Sequence, residues 1–180
     1  MPSIPPIVSG QIALTVNSLT INPPGMQNTL GATMMVTRQP DSSLVTFTIA
    51  PPAPPQTLTV AGPKDAVVQI TFTLTNPDFK PGIELSLIGI FFSNASAAIS
   101  TIFPAYIVNT SATAINYPPG GETAWTVSIP AESITVYDII TLCDAPFTLL
   151  FVDNMSNLYV FDPGVVNDPS VQHATRHRRK

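Results

Sequence analysis

Apolar and polar residues alternate with a period of two along most of the chain. In residues 68–75, Val68, Ile70, Phe72 and Leu74 alternate with Gln69, Thr71, Thr73 and Thr75, which predicts a strand with one buried face and one Thr-rich face. The same alternation runs through 123–129, where Thr123, Trp125, Val127 and Ile129 are separated by Ala124, Thr126 and Ser128, and through the shorter stretches 44–49 and 12–16. More continuous apolar runs at 83–92, 134–142 and 147–152 read as central strands covered on both faces. No segment carries the 3.6-residue period of an amphipathic helix.

Proline supplies the punctuation. Ten of the twenty prolines stand as adjacent pairs, Pro5-Pro6, Pro23-Pro24, Pro51-Pro52, Pro54-Pro55 and Pro118-Pro119. A residue without an amide donor cannot sit inside a hydrogen-bonded ladder, so each pair marks a strand end, a connection or an edge. The runs between these breakers predict about nine to eleven strands. Two packed sheets bury that many half-apolar strands in one domain, and the expected fold is an all-β, antiparallel β-sandwich of jelly-roll or other Greek-key type. Residues 11–161 form the expected domain, flanked by a Pro-rich N-terminal arm at 1–10 and a C-terminal arm with a basic tail at 162–180. The stretch APPAPPQ at 50–56 has the composition of a linker, but the fifty residues before it are few for an independent sandwich.

Charge changes this picture from a generic domain to one with a partner. Charged residues make up only 10% of the chain where soluble domains average roughly 25%. Four of the seven basic residues, Arg176, Arg178, Arg179 and Lys180, lie in the last five positions beside His173 and His177. The body holds only Arg38, Lys64 and Lys80 against eleven carboxylates, a balance of −8 that the tail offsets by +4. Such an asymmetry predicts that the tail residues His173, Arg176, His177, Arg178, Arg179 and Lys180 contact nucleic acid phosphates or the carboxylates of a neighbouring subunit. Cys143 is the only cysteine, which excludes an internal disulfide and agrees with a reducing compartment. No apolar run reaches about 18 residues, and MPSIPPIVSG lacks the basic and apolar regions of a signal peptide. The expected location is the cytoplasm or a virion, with no membrane span.

Catalytic chemistry finds few residues to work with. The first 172 positions contain no histidine, so a Ser-His-Asp or Cys-His site would have to recruit the tail, against the need for rigid positioning. One cysteine and two tail histidines fall short of a closed zinc site. Asp138, Asp144, Asp153, Asp162 and Asp168 crowd into the last third and read as turn and edge residues rather than a paired acid and base. The run Asp153-Asn154-Met155-Ser156-Asn157, with Asp162 on the next strand, is oxygen-rich, but Met155 falls where a calcium ligand is needed, and a hairpin turn is expected instead. Gly120-Gly121 is a turn signal without the remainder of a phosphate-binding loop. Trp125, Tyr106, Tyr117, Tyr137 and Tyr159 are candidates for a stacking platform, although Trp125 shares the apolar face of its strand with Val127 and Ile129 and is expected in the core.

No catalytic, metal or cofactor site is therefore expected. The predicted function is that of a non-enzymatic, self-assembling structural protein, a viral coat or decoration subunit or a cytoplasmic inclusion or lattice protein, whose partner is a further copy of itself. The alternative is a recognition module of carbohydrate-binding, adhesive or toxin-like type, which leaves the arms and the basic tail without a role.

Overall fold

The alternation seen in the sequence becomes burial in the fold. The computed structural model describes residues 7–51, 55–91, 113–117, 122–131, 133–140 and 148–169, with residues 90, 91, 113–117, 122–131, 137 and 139 described by their backbone alone. Twelve strands follow one another without a helix among the described residues. They are β1 (Val8–Thr20), β2 (Thr29–Arg38), β3 (Thr46–Ala50), β4 (Thr57–Ala61), β5 (Val67–Leu74) and β6 (Leu85–Phe91), then β7 (Thr113–Tyr117), β8 (Glu122–Ala131), β9 (Ser133–Ile139), β10 (Thr148–Asp153), β11 (Leu158–Phe161) and β12 (Val165–Asp168). In β5 the alternation is complete: Val68, Ile70, Phe72 and Leu74 are buried while Gln69, Thr71 and Thr73 are half-exposed.

The strands form two sheets. Nine of them run in the order β7-β8-β6-β10-β11-β2-β1-β5-β9, and three in the order β12-β4-β3. A single residue separates β8 from β9 in the chain although they lie toward opposite margins of the larger sheet. The sheet therefore curls until its two margins approach, and one continuous core fills the space. Ile12 and Leu14 of β1, Phe72 of β5, Leu87 of β6, Val136 of β9 and Phe151 of β10 meet Leu58 and Val60 of β4 in that core.

Antiparallel pairing was expected throughout, and the structure corrects this at three seams. β1 pairs with β5, β2 with β11 and β4 with β12 in parallel. Parallel neighbours need a long return path, and the chain between β1 and β5 supplies it by building β2, β3 and β4 on the way. Residues 134–142 were expected as a central strand, yet β9 lies at a margin with Ser133 exposed and Thr135 half-buried. β6 and β10 do behave as central strands: Leu149, Leu150 and Phe151 are all buried. Leu150 packs with Ile88 and Val160 on the face opposite the main core.

The expected domain limits also shift. Val8, Ser9 and Gly10, assigned to the N-terminal arm, are the first residues of β1. Val165–Asp168, assigned to the C-terminal arm, is a strand. Ala50 pairs with Thr57, so β3 and β4 on either side of the proline-rich stretch are antiparallel neighbours in one sheet rather than parts of two domains.

Primary amides join the two sheets, because a carboxamide offers the same donor and acceptor as a peptide group. Gln39 donates to the Phe47 carbonyl and accepts from the Phe47 N–H, both at 2.9 Å. Gln56 accepts from the Met34 N–H, and Asn167 of β12 donates to Asp138 of β9 at 3.3 Å. Phe47 itself lies over Gly10, where any Cβ would overlap the ring.

Candidate functional site

The residues singled out for partner binding, His173, Arg176, His177, Arg178, Arg179 and Lys180, lie outside the described residues, as do Asp144, Cys143 and the side chains of Trp125, Tyr117 and Tyr137. The structure does fix where the last strand before the basic segment ends. β12 ends at Asp168 opposite Ala61, and the Asp168 carbonyl accepts from the Gly62 N–H at 3.1 Å.

The oxygen-rich run 153–157 forms the expected hairpin turn between β10 and β11. Ser156 closes it in the left-handed region at φ 67°. That conformation costs a non-glycine residue about 1 kcal/mol, and Asp153 offsets it by ordering the loop. Its Oδ1 accepts from the N–H groups of Met155 and Asn157, and its Oδ2 from the Asn157 amide and the Tyr159 hydroxyl, all at 2.9 Å. Burial pushes the Asp153 carboxyl up, but the hydrogen bonds from Asn157, Tyr159 and Met155 outweigh it and hold the group below its ordinary 3.8. Burial and the Asp153 carboxylate together push the Tyr159 hydroxyl up to about 12. A carboxylate with four donors around it is a structural cap. It is not arranged to ligate calcium, and among the described residues no group of three or more His, Cys, Asp or Glu side chains is placed to hold a metal ion.

The other carboxylates play separate parts. Asp162 is exposed and caps the Gly164 N–H at 2.8 Å, the turn role expected of it. Asp138 departs from that expectation: it lies inside β9, 1% exposed, against Asn167. Tyr159, a candidate for a stacking platform, is 1% exposed and unable to present its ring to a ligand.

Two surfaces remain as candidates for partner binding. The first is the outer face of β2, β1, β5 and β9. Thr33 and Met35 of β2 lie opposite Thr15 and Ala13 of β1, which neighbour Thr73 of β5, which faces Ser133 of β9. Hydroxyls tie the strands together across the face, Thr15 to Thr75 at 2.8 Å and Thr71 to Thr135 at 2.9 Å. None of these positions is charged, and Met35 stands 61% exposed on β2, at one side of the face. The Thr alternation announces this face in the sequence; its extent across four strands, with Arg38 opposite Gln11 at one end, appears only once the register is known.

The second surface is a seam within the larger sheet. β11 pairs with β2 at one position, Val160 opposite Thr29, and then turns away at Asp162 and Pro163. A cleft of about 420 Å³ opens there, walled by Pro55, Val160 and Phe161, with Gln27, Gln56 and Asp162 as its polar groups. Little in the sequence announces it, because the proline pair before Gln56 reads simply as a break.

A scan of protein-family models and a search of curated proteins each match nothing in this chain. Among the described residues no helix is long and apolar enough to cross a membrane.

Proposed function

We propose that the chain is a non-enzymatic, self-assembling structural subunit whose fold is a β-sandwich of jelly-roll or related Greek-key type, formed by the two halves of the curled sheet. The observation that carries this reading is the outer face of β2, β1, β5 and β9, where Thr, Ser, Ala and Met positions stand together and charge enters at the Arg38 end of β2. Interface cores are depleted in charge and enriched in methionine relative to ordinary surface, and this face has both properties around Met35. A body with three basic residues against eleven carboxylates concentrates its charge elsewhere and leaves this face free to meet another copy. In this reading the basic segment 173–180 holds the assembly to a nucleic acid or to a neighbouring subunit, as in a virion coat or a cytoplasmic lattice.

Sedimentation velocity of the full chain over a wide range of concentrations tests the proposal. The expected result is a species well above 19.1 kDa that Met35→Lys returns to the monomer without unfolding it, since an exposed strand position tolerates the change within about 0.5 kcal/mol. A monomer at every concentration overturns the reading. Removal of residues 176–180 then separates the two roles of the tail, through loss of co-purified nucleic acid on one hand or loss of assembly on the other.

A further inference from the structure

The seam beside β2 has the geometry of a site for an added strand. The hydrogen-bond phase of β1 establishes this. Val16 exchanges both its backbone groups with the Asn76 side chain, and the Leu14 carbonyl accepts from the Thr75 N–H, so the even-numbered residues of β1 turn their N–H and C=O groups toward β5. Its odd-numbered residues Ala13 and Thr15 therefore bond to β2, where they face Met35 and Thr33. In β2 it follows that Ala32, Met34 and Val36 turn their backbone groups the other way, into the seam. Two bonds agree with this phase: the Asn28 carbonyl accepts from Val160 at 3.0 Å, and the Met34 N–H donates to Gln56.

Beyond Thr29, no strand among the described residues is paired with β2 on that side. The Gln56 amide occupies one position that a neighbouring strand would fill. Of these edge residues Ala32 lines the cleft, and backbone groups on a strand edge beside apolar walls can recognise an extended peptide through its main chain. The occupant needs amide donors in sequence. Residues 1–6 contain three prolines, whereas residues 170–180, SVQHATRHRRK, contain none. The latter also bring the positive charge that suits Asp162, exposed at the cleft, on a body of net charge −8.

We propose that residues 170–180 of a second copy of this chain bind along the β2 edge as an added strand, with their basic residues beside Asp162. A second copy suits the direction of β12, which starts beside the cleft, where Gly164 bonds to Leu58, and runs from Leu58 toward Ala61 and Gly62, so that Asp168 stands at the end of the strand farther from the cleft. This inference rests on the reading of the chain as a self-assembling subunit and names one contact of that assembly.

The test uses the full chain and a synthetic peptide, SVQHATRHRRK. Saturable binding is expected, with slowed amide exchange at Ala32. Asp162→Asn keeps an oxygen for the Gly164 N–H but removes the charge, and weakens binding about three- to tenfold. Absence of saturable binding, unchanged exchange at Ala32, or a peptide that binds nucleic acid but not the protein overturns the proposal. Thr29→Cys and Val171→Cys, placed on separate copies that also carry Cys143→Ser, are expected to form an inter-chain disulfide in the mixture; a bond that forms only when both cysteines share one chain overturns the assignment to a second copy. A chain that sediments as oligomers but ignores the peptide refutes this site alone. A monomer that still binds the peptide refutes the assembly reading and leaves the site standing.

Discussion

Two parallel seams cross the larger sheet, and they differ in almost every respect. At β1–β5 the register runs unbroken from Val8 opposite Val68 to Leu14 opposite Leu74, and Asn76 prolongs it past the strand end by bonding both backbone groups of Val16. At β2–β11 a single pair forms before the strands part, and one amide side chain and a cleft take the place of the ladder. The first seam buries Ile12, Leu14, Ile70 and Phe72 at its back. The contrast teaches that a curled sheet need not be equally closed all round: where a strand is held by long register and a filled core it is scaffold, and where backbone groups are left to side chains it can accept a partner.

The sharpest way to break the closed seam is to empty its core. Phe72→Ala is expected to lower the unfolding free energy by about 3–5 kcal/mol, read from the midpoint of a urea titration. Val160→Ala at the open seam should cost about 1.5 kcal/mol, so near-equal losses would contradict the comparison.

A smaller difference is expected between the two amide surrogates. Asn76→Ala strips Val16, which is 3% exposed, of a donor and an acceptor partner and should cost about 1–3 kcal/mol. Gln56→Ala uncovers the Met34 N–H, beside a cleft where water can replace it, and the loss of that bond should cost about 1 kcal/mol or less. The order reverses if the cleft is sealed against solvent in solution.

An effect of similar small size concerns the Asp153 turn, and it depends on pH. Because the folded carboxyl lies below 3.8, its contribution is present above that value and is lost as pH falls through the lower folded pKa. Because the Tyr159 hydroxyl is raised from 10.0 to about 12, its contribution is whole below pH 10 and is lost as pH rises toward 12. Tyr159→Phe should cost about 1 kcal/mol at neutral pH, with the gap to the parent chain narrowing between pH 10 and 12. A gap that stays constant there would show that the hydroxyl does not act through Asp153.

Strand positions with strict alternation were legible in the sequence. Residues 68–75 gave β5 almost to the residue, and residues 147–152 gave a central strand buried on both faces. β4, β11 and β12 carry only four or five residues each, too short a run for periodicity to separate from loop. The turn at 153–157 was recognised from its composition. That Asp153 would gather four donors was not, since two of them, from Asn157 and Tyr159, depend on the side-chain geometry of the closed hairpin.

By itself the sequence determined the all-β class, the Thr-rich exterior and the separation of negative body from basic end, because period-two burial and charge count are local properties that no packing arrangement can undo. Only the tertiary structure decided that β5 lies parallel to β1, that four strands join their Thr-rich faces into one surface, and that beyond Thr29 no strand among the described residues pairs with β2 beside Asp162. Those outcomes depend on which strands become neighbours and in what register, and neighbours are chosen by the burial of one shared core rather than by any single strand's own pattern.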